Sequence, residues 1–165
     1  MSGEIKVRRA RRGDIRTIAG IMNSSGWLAP PITEQGAAMR LLQKGYFLSI
    51  SRTGAGLAGW QVENLVSCID DFYIYPPRDA ARLGKPLLEA VEAAAQELEC
   101  EVSAVLVPEQ GRTPVDAVLA ESGYEKREIA DLDGIWSGVL NQFAPQGQTH
   151  VWLKRLRSDR VTMPV

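Results

Sequence analysis

The chain has 165 residues, the length of one domain. Its 45% apolar and 24% charged content matches an ordinary soluble globular protein, and no apolar run approaches the roughly 20 residues of a membrane span. Its 19 basic and 20 acidic side chains leave a formal net charge of −1, so no global field draws it to nucleic acid or an anionic membrane. Charge does gather locally. Lys6, Arg8, Arg9, Arg11 and Arg12 crowd the start, and Lys154, Arg155, Arg157 and Arg160 the end, reading first as solvated basic segments. Cys68 and Cys100 lack metal-ligand spacing and are expected reduced and buried. With no signal-type apolar region at the start, a cytoplasmic location without a metal centre is expected.

In chain order, residues 5–9 predict a first strand, with Ile5, Val7 and Arg9 on one face. Asp14 is placed to cap a helix bearing Ile15, Ile18, Ala19 and Met22. A loop follows over residues 23–31. Thr33 caps a second helix with Ala37, Ala38, Leu41 and Leu42 inward, ended by Gly45. Residues 46–51 and 57–66 read as strands around a turn at 53–56, and residues 67–75 as the next strand, stopped by Pro76 and Pro77. A helix over about residues 85–99 places Leu87, Leu88, Val91, Ala95 and Leu98 inward. Residues 101–107 form an apolar run suited to a strand covered on both faces. Thr113 and Pro114 open a fourth helix, closed by Gly123. Residues 124–129 and 150–156 finish the sheet, with a long excursion or loop at 131–148. The order β-α-α-β-β-β-α-β-α-β-β predicts an α/β (α+β) single domain: a mixed sheet of about seven strands with helices on both faces. The domain is expected over residues 1–157, with a tail at 158–165. Strand edges near the C-terminus are ones a homodimer would pair.

The most informative stretch runs from Ile69 to Cys100: a strand, a short basic turn with a glycine, then an amphipathic helix. That order aims a helix N-terminus at whatever lies beyond the strand, an arrangement suited to phosphate. The stretch resembles the acyl-CoA-binding core of the GCN5-related N-acetyltransferases (GNATs). The resemblance extends over nearly the whole chain. Lys6-Val7-Arg8-Arg9-Ala10 with Gly13-Asp14-Ile15 is similar to the family's opening, and Ile69-Asp70-Asp71-Phe72-Tyr73-Ile74 to its fourth strand. Leu87-Leu88-Glu89-Ala90-Val91 is similar to its pyrophosphate-side helix, and Leu119 through Lys126 to the end of its fourth helix and the next strand. The family's turn reads Gln/Arg-x-x-Gly-x-Gly/Ala. Here it reads Asp79-Ala80-Ala81-Arg82-Leu83-Gly84, and only the last glycine survives. Leu119 stands where the family often has a tyrosine acid.

The resemblance implies transfer of an acetyl group from acetyl-CoA, as co-substrate, to an amine of a small molecule or a protein. It implies a pantetheine arm running beside the backbone of Phe72, Tyr73, Ile74 and Tyr75. It places the pyrophosphate at Arg78, Asp79, Ala80, Ala81, Arg82, Leu83, Gly84 and Lys85. Arg82 replaces a glycine that admits close backbone approach, and Pro86 removes an N–H expected in the first helical turn. Arg78, Arg82 and Lys85 are placed to offset both by charge-assisted hydrogen bonds. Asp70 and Asp71 are the candidate acids for moving the amine's proton. Strand alternation predicts that they face opposite sides of the sheet, one into the acceptor cleft. Glu63, on the preceding strand, is a further candidate. Trp27 and Trp136 fall in the two regions that flank the acceptor in this family. His150, the one histidine, reads as structural. The rival expectation is a GNAT-fold protein with weakened or lost catalysis that binds acyl-CoA or a protein partner. A nucleic-acid adaptor is disfavoured for want of an aromatic stacking platform.

Overall fold

The computed structural model describes residues 3–24, 31–107 and 115–158. Trp27 and the helix start at Thr113 and Pro114 lie outside the described residues. The strands are β1 (Lys6–Arg9), β2 (Gly45–Ile50), β3 (Ala55–Glu63), β4 (Val66–Tyr75), β5 (Val102–Val105), β6 (Glu125–Glu128) and β7 (His150–Arg155). The helices are α1 (Ile15–Ser24), α2 (Glu34–Gln43), α3 (Ala80–Glu97), α4 (Val115–Glu121) and α5 (Gly134–Phe143). One seven-stranded mixed sheet has the order β1-β2-β3-β4-β5-β7-β6. Neighbours are antiparallel except β4 and β5. The expected mixed sheet with crossover helices is therefore present, and β4 and β5 lie in one sheet, β5 being shorter than the expected 101–107.

Three apolar clusters hold the helices to the sheet. On one face α3 and α4 bury Leu83, Leu87, Val91 and Val118 against Phe47, Trp60, Ile69, Phe72 and Ile74. On the other face α1 and α2 cover β2–β4 through Ile18, Met22, Ala37, Leu48, Leu57 and Tyr73. Farther along that face α5 covers Val66, Cys68, Val102, Ala104 and Leu153 with Val139 and Leu140. Each buried Val, Leu, Ile, Phe or Met among them contributes roughly 1.5–3 kcal/mol. On this second face β4 passes from beneath α5 to beneath α1 and α2. The gap between the two helical layers falls over Asp70 and Asp71.

Local chemistry accounts for most boundaries. Thr33 caps α2, its hydroxyl accepting from the Gly36 N–H at 3.0 Å. Asp14 does not cap α1 directly. It closes a preceding 3-10 turn, accepting from the Arg11 N–H at 2.7 Å and pairing with Arg8 at 2.7 Å. α3 starts five residues earlier than about Lys85, because the turn at Pro77–Asp79 runs straight into the helix-favouring Ala80 and Ala81. Pro86 consequently lies beyond the first turn and removes none of that turn's N–H groups.

The largest correction concerns residues 131–148, which contain α5. Asp133 caps it, accepting from the Ile135 and Trp136 N–H groups, both at 3.1 Å. Trp136, Val139, Leu140 and Phe143 repeat at helical spacing behind that cap. Both cysteines are free and buried. The edge strand β6 carries Glu125, Lys126, Arg127 and Glu128, all exposed, a charged edge of the kind that resists pairing. No helix among the described residues is long and apolar enough to cross a membrane.

Candidate functional site

β4 and β5 pair only from Val66↔Val102 to Ile69↔Val105, with one further bond from the Leu106 N–H to the Ile69 carbonyl at 2.8 Å. Beyond it, residues 70–75 of β4 have no β5 partner among the described residues. The sheet forks there. The open backbone edge leads through Pro76 and the turn Pro77–Asp79 into the N-terminus of α3.

At the base of the fork β4 carries a β-bulge. Gly59 faces Asp71 and Trp60 faces Ile69, so Asp70 is an extra residue without a cross-strand partner. This corrects the expectation that Asp70 and Asp71 face opposite sides. An inserted residue resets the alternation, and both carboxylates turn to the face of α1, α2 and α5. They converge on Lys44, whose ammonium lies 2.7 Å from Asp70 Oδ1 and 3.1 Å from Asp71 Oδ2. Gln61 donates to Asp70 Oδ2 at 3.1 Å. Arg40 donates to Asp71 Oδ1 at 3.0 Å, and the Tyr46 hydroxyl to Asp71 Oδ2 at 2.5 Å. Every carboxylate oxygen of the pair thus has a partner, and two cations balance two anions. Burial, with the Asp71 carboxylate behind it, pushes the Tyr46 phenol far above its ordinary value, so it stays a donor. Burial and Asp71 likewise push Tyr73 up, while the Arg40 guanidinium bonded to it pulls the other way. Gly59 makes this packing possible: a Cβ there would lie 2.4 Å from the Tyr46 ring.

Arg40, Lys44, Asp70 and Asp71 line one wall of a cavity of about 220 Å³. Leu106, Phe143, Pro145 and Gln148 line the other. Gln148 donates to the Val107 and His150 carbonyls at 3.1 and 3.2 Å, tying the end of β5 to the start of β7. The excursion at 131–148 therefore does flank the fork, but through these residues and not through Trp136. Trp136, on α5, is 8% exposed and packs in the apolar layer between that helix and the sheet. It lines instead a larger cavity of about 670 Å³ against β6 and β7, away from the open β4 edge. Glu63 is exposed at the β3–β4 turn opposite Val66, and Gln61 is the β3 side chain that reaches Asp70. Arg40, Lys44, Tyr46 and Gln61 carried no motif in the sequence. Only the register of α2, β2 and β3 against the bulge brings them together.

At the other limb of the fork, Phe72 and Ile74 bury their side chains under α3, and Tyr73 packs toward α1. The backbone of these residues, not their side chains, faces the open edge. Arg78 and Lys85 are exposed. Arg82 is engaged: it reaches Ser51 Oγ at 3.3 Å, Thr53 Oγ1 at 3.1 Å and Asp79 at 3.5 Å, pinning the start of α3 to the β2–β3 turn. Gly84 has a packing role, since a Cβ there would lie 2.8 Å from Ile74 Cδ1 and 3.2 Å from Val118 Cγ1. Leu119 is fully buried. His150 pairs with Glu128 at 2.9 Å on the surface, consistent with its structural reading. Among the described residues no cluster of His, Cys, Asp and Glu is placed to hold a metal ion.

No protein-family model and no curated protein sequence matches the chain. Solved structures do match in shape. A GNAT-family acetyltransferase from Staphylococcus aureus superposes with a TM-score of 0.69 at 12% identity, covering 93% of this chain and 100% of that one. PaiA N-acetyltransferase from Thermoplasma acidophilum, solved in complex with coenzyme A, gives 0.68 at 12% identity over 92% of this chain and 99% of that one. The ribosomal-protein-S18-alanine N-acetyltransferase of Escherichia coli gives 0.64 at 12% identity over 98% and 100%. The forked mixed sheet, its crossover helix and these superpositions give the chain the fold of the GCN5-related N-acetyltransferases.

Proposed function

We propose that the protein is an N-acetyltransferase that moves an acetyl group from acetyl-CoA to a primary amine of a small molecule or a protein. The observation that carries this reading is the fork. Over residues 70–75 β4 has no partner on its β5 side among the described residues, and this edge leads straight into the N-terminus of α3. The edge offers N–H and C=O groups to a pantetheine amide chain, and the helix start offers its dipole to a diphosphate. The similarity to a fold solved with coenzyme A supports the same use.

In this reading the pantetheine arm lies beside Phe72, Tyr73, Ile74 and Tyr75. The phosphates lie at the turn and first helical residues, Arg78 through Lys85, with Arg78 and Lys85 supplying charge. The acceptor amine enters the cavity beside Asp70. The amine nitrogen attacks the thioester carbonyl carbon, a β4 N–H stabilises the oxyanion, and the carbon–sulfur bond breaks. The thiol leaves as a thiolate, and the amine's proton passes through water. Asp70, with 16% of its side chain exposed, takes the role of proton acceptor or water-orienting group. Asp71, 5% exposed, holds Lys44, Arg40 and Tyr46 in place.

A second reading has its own support. Both acids already carry resident cations, and Arg82 is committed to the β2–β3 turn. A fold so arranged suits an acyl-CoA binder with weak or lost turnover. Thermal-shift measurements with acetyl-CoA, CoA and ATP test both. A ligand at 100 times its dissociation constant stabilises by roughly 2.7 kcal/mol. A shift with both CoA species and not with ATP supports the acyl-CoA site, and amine turnover then separates enzyme from binder. No shift with either CoA species rejects both.

A further inference from the structure

Charge in the fork cavity points to what the acceptor carries besides its amine. A cavity that recruits a simple cationic amine needs surplus negative charge. This one has none. Asp70 and Asp71 are matched by Lys44 and Arg40, and each carboxylate oxygen is already bonded. Lys44 is spent on the pair, with 9% of its side chain exposed. Arg40 is not. It lines the cavity, a third of its side chain is exposed, and its bond to Asp71 leaves through Nη1 alone. A guanidinium has five N–H donors in a planar fork matched to a carboxylate. Its contacts with Asp71, with the Met22 sulfur and with Tyr73 use only part of that set. The volume of about 220 Å³ suits a small molecule or the end of a chain.

Building on the acyl-transfer reading, we propose that the acceptor carries a carboxylate beside its amine, as an amino acid does, and that Arg40 on α2 binds that carboxylate. The amine then lies against Asp70, and the zwitterion adds no net charge to a neutral cavity.

The test titrates the full chain by calorimetry with matched pairs: alanine and ethylamine, phenylalanine and 2-phenylethylamine, lysine and cadaverine. Each titration is run with saturating CoA and again without it. Each amino acid should bind about tenfold or more tightly than its decarboxylated partner, the scale of one charge-assisted hydrogen bond. In Arg40→Gln that ratio should fall to near one. A ratio measured within one variant cancels a uniform loss of folded protein. Should Arg40→Gln not fold, Arg40→Lys carries the test: losing the planar fork should lower the ratio severalfold. Amines that bind as well as the amino acids, or a ratio unmoved by substitution, overturn the proposal. If CoA binds and no member of any pair does, the proposal falls while the acyl-CoA reading stands. If CoA does not bind, the acyl-transfer reading falls, and the titrations without CoA still decide the role of Arg40.

Discussion

The two limbs of the fork handle charge in opposite ways. On the acceptor side, Asp70, Asp71, Arg40 and Lys44 neutralise one another through contacts of 2.7–3.1 Å, mostly out of water. On the α3 side, Arg78 and Lys85 stand exposed without an ion-pair partner among the described residues, and only Arg82 is tied down. A buried network is held by desolvated partners and fails when one is removed. Exposed cations contribute little to stability and remain available to an anionic ligand. Substitutions on the acceptor side should therefore act first on folding, and those on the α3 side first on binding.

The largest contrast is expected at Asp71. Asp71→Ala leaves the Tyr46 hydroxyl and part of the Arg40 and Lys44 charge without a partner, and should destabilise by about 3–5 kcal/mol in chemical denaturation. A loss under 1 kcal/mol would mean that the network adds little. Asp70→Asn keeps the side chain's shape but leaves two cations against one anion; with Asp70 more exposed than Asp71, it should destabilise less than Asp71→Ala, by about 1–3 kcal/mol. In the acyl-transfer reading it should lower turnover by roughly 10²-fold at unchanged acetyl-CoA binding. Full turnover would leave Asp70 a structural residue. Gly59→Ala drives a Cβ into the Tyr46 ring and should destabilise by about 2 kcal/mol, the scale of overpacking. A neutral result would show that the ring can move without loss.

On the other limb, Arg78→Glu with Lys85→Glu should weaken acetyl-CoA by about tenfold and leave the melting temperature unchanged. Equal affinity in the double variant removes the phosphate role from these two residues. The smallest effect belongs to a pair outside the fork. Arg8 holds the Asp14 carboxyl at about 2, below its ordinary 3.8. The folded state thus binds that proton less tightly than the unfolded chain. The stabilisation is complete above pH about 4 and is lost as pH falls through about 2. Asp14→Asn should remove that component, under about 1 kcal/mol for so exposed a partner. An acid-unfolding curve unchanged by the substitution contradicts the assignment.

Much of this architecture was legible because each element carried its own local signal. Thr33 announced α2, and the apolar spacing of Leu87, Leu88 and Val91 announced α3. The short apolar run from Val102 marked a strand covered on both faces. α5 was legible in principle, from Asp133 as cap and Trp136, Val139, Leu140 and Phe143 behind it. Gly134 and Gly138, weak helix formers, masked it. The site was less legible. Asp70 and Asp71 stood out as a pair, but alternation put them on opposite faces, because a bulge is set by the partner strand and leaves no mark in its own residues. Lys44 and Arg40 stand in the sequence as two cations at the end of α2. Their burial against β4 is a fact of tertiary register alone.

The account's central claim is that the open β4 edge and the start of α3 form one acyl-CoA site, and hydrogen exchange tests it most directly. Amide exchange is followed residue by residue with and without saturating acetyl-CoA. The account predicts that protection rises at residues 70–75 and at the first turn of α3. Protection at β1 and at the β6 edge should stay unchanged. Binding that leaves the amides of residues 72–75 exchanging as in the free protein, or no binding at all, would contradict it.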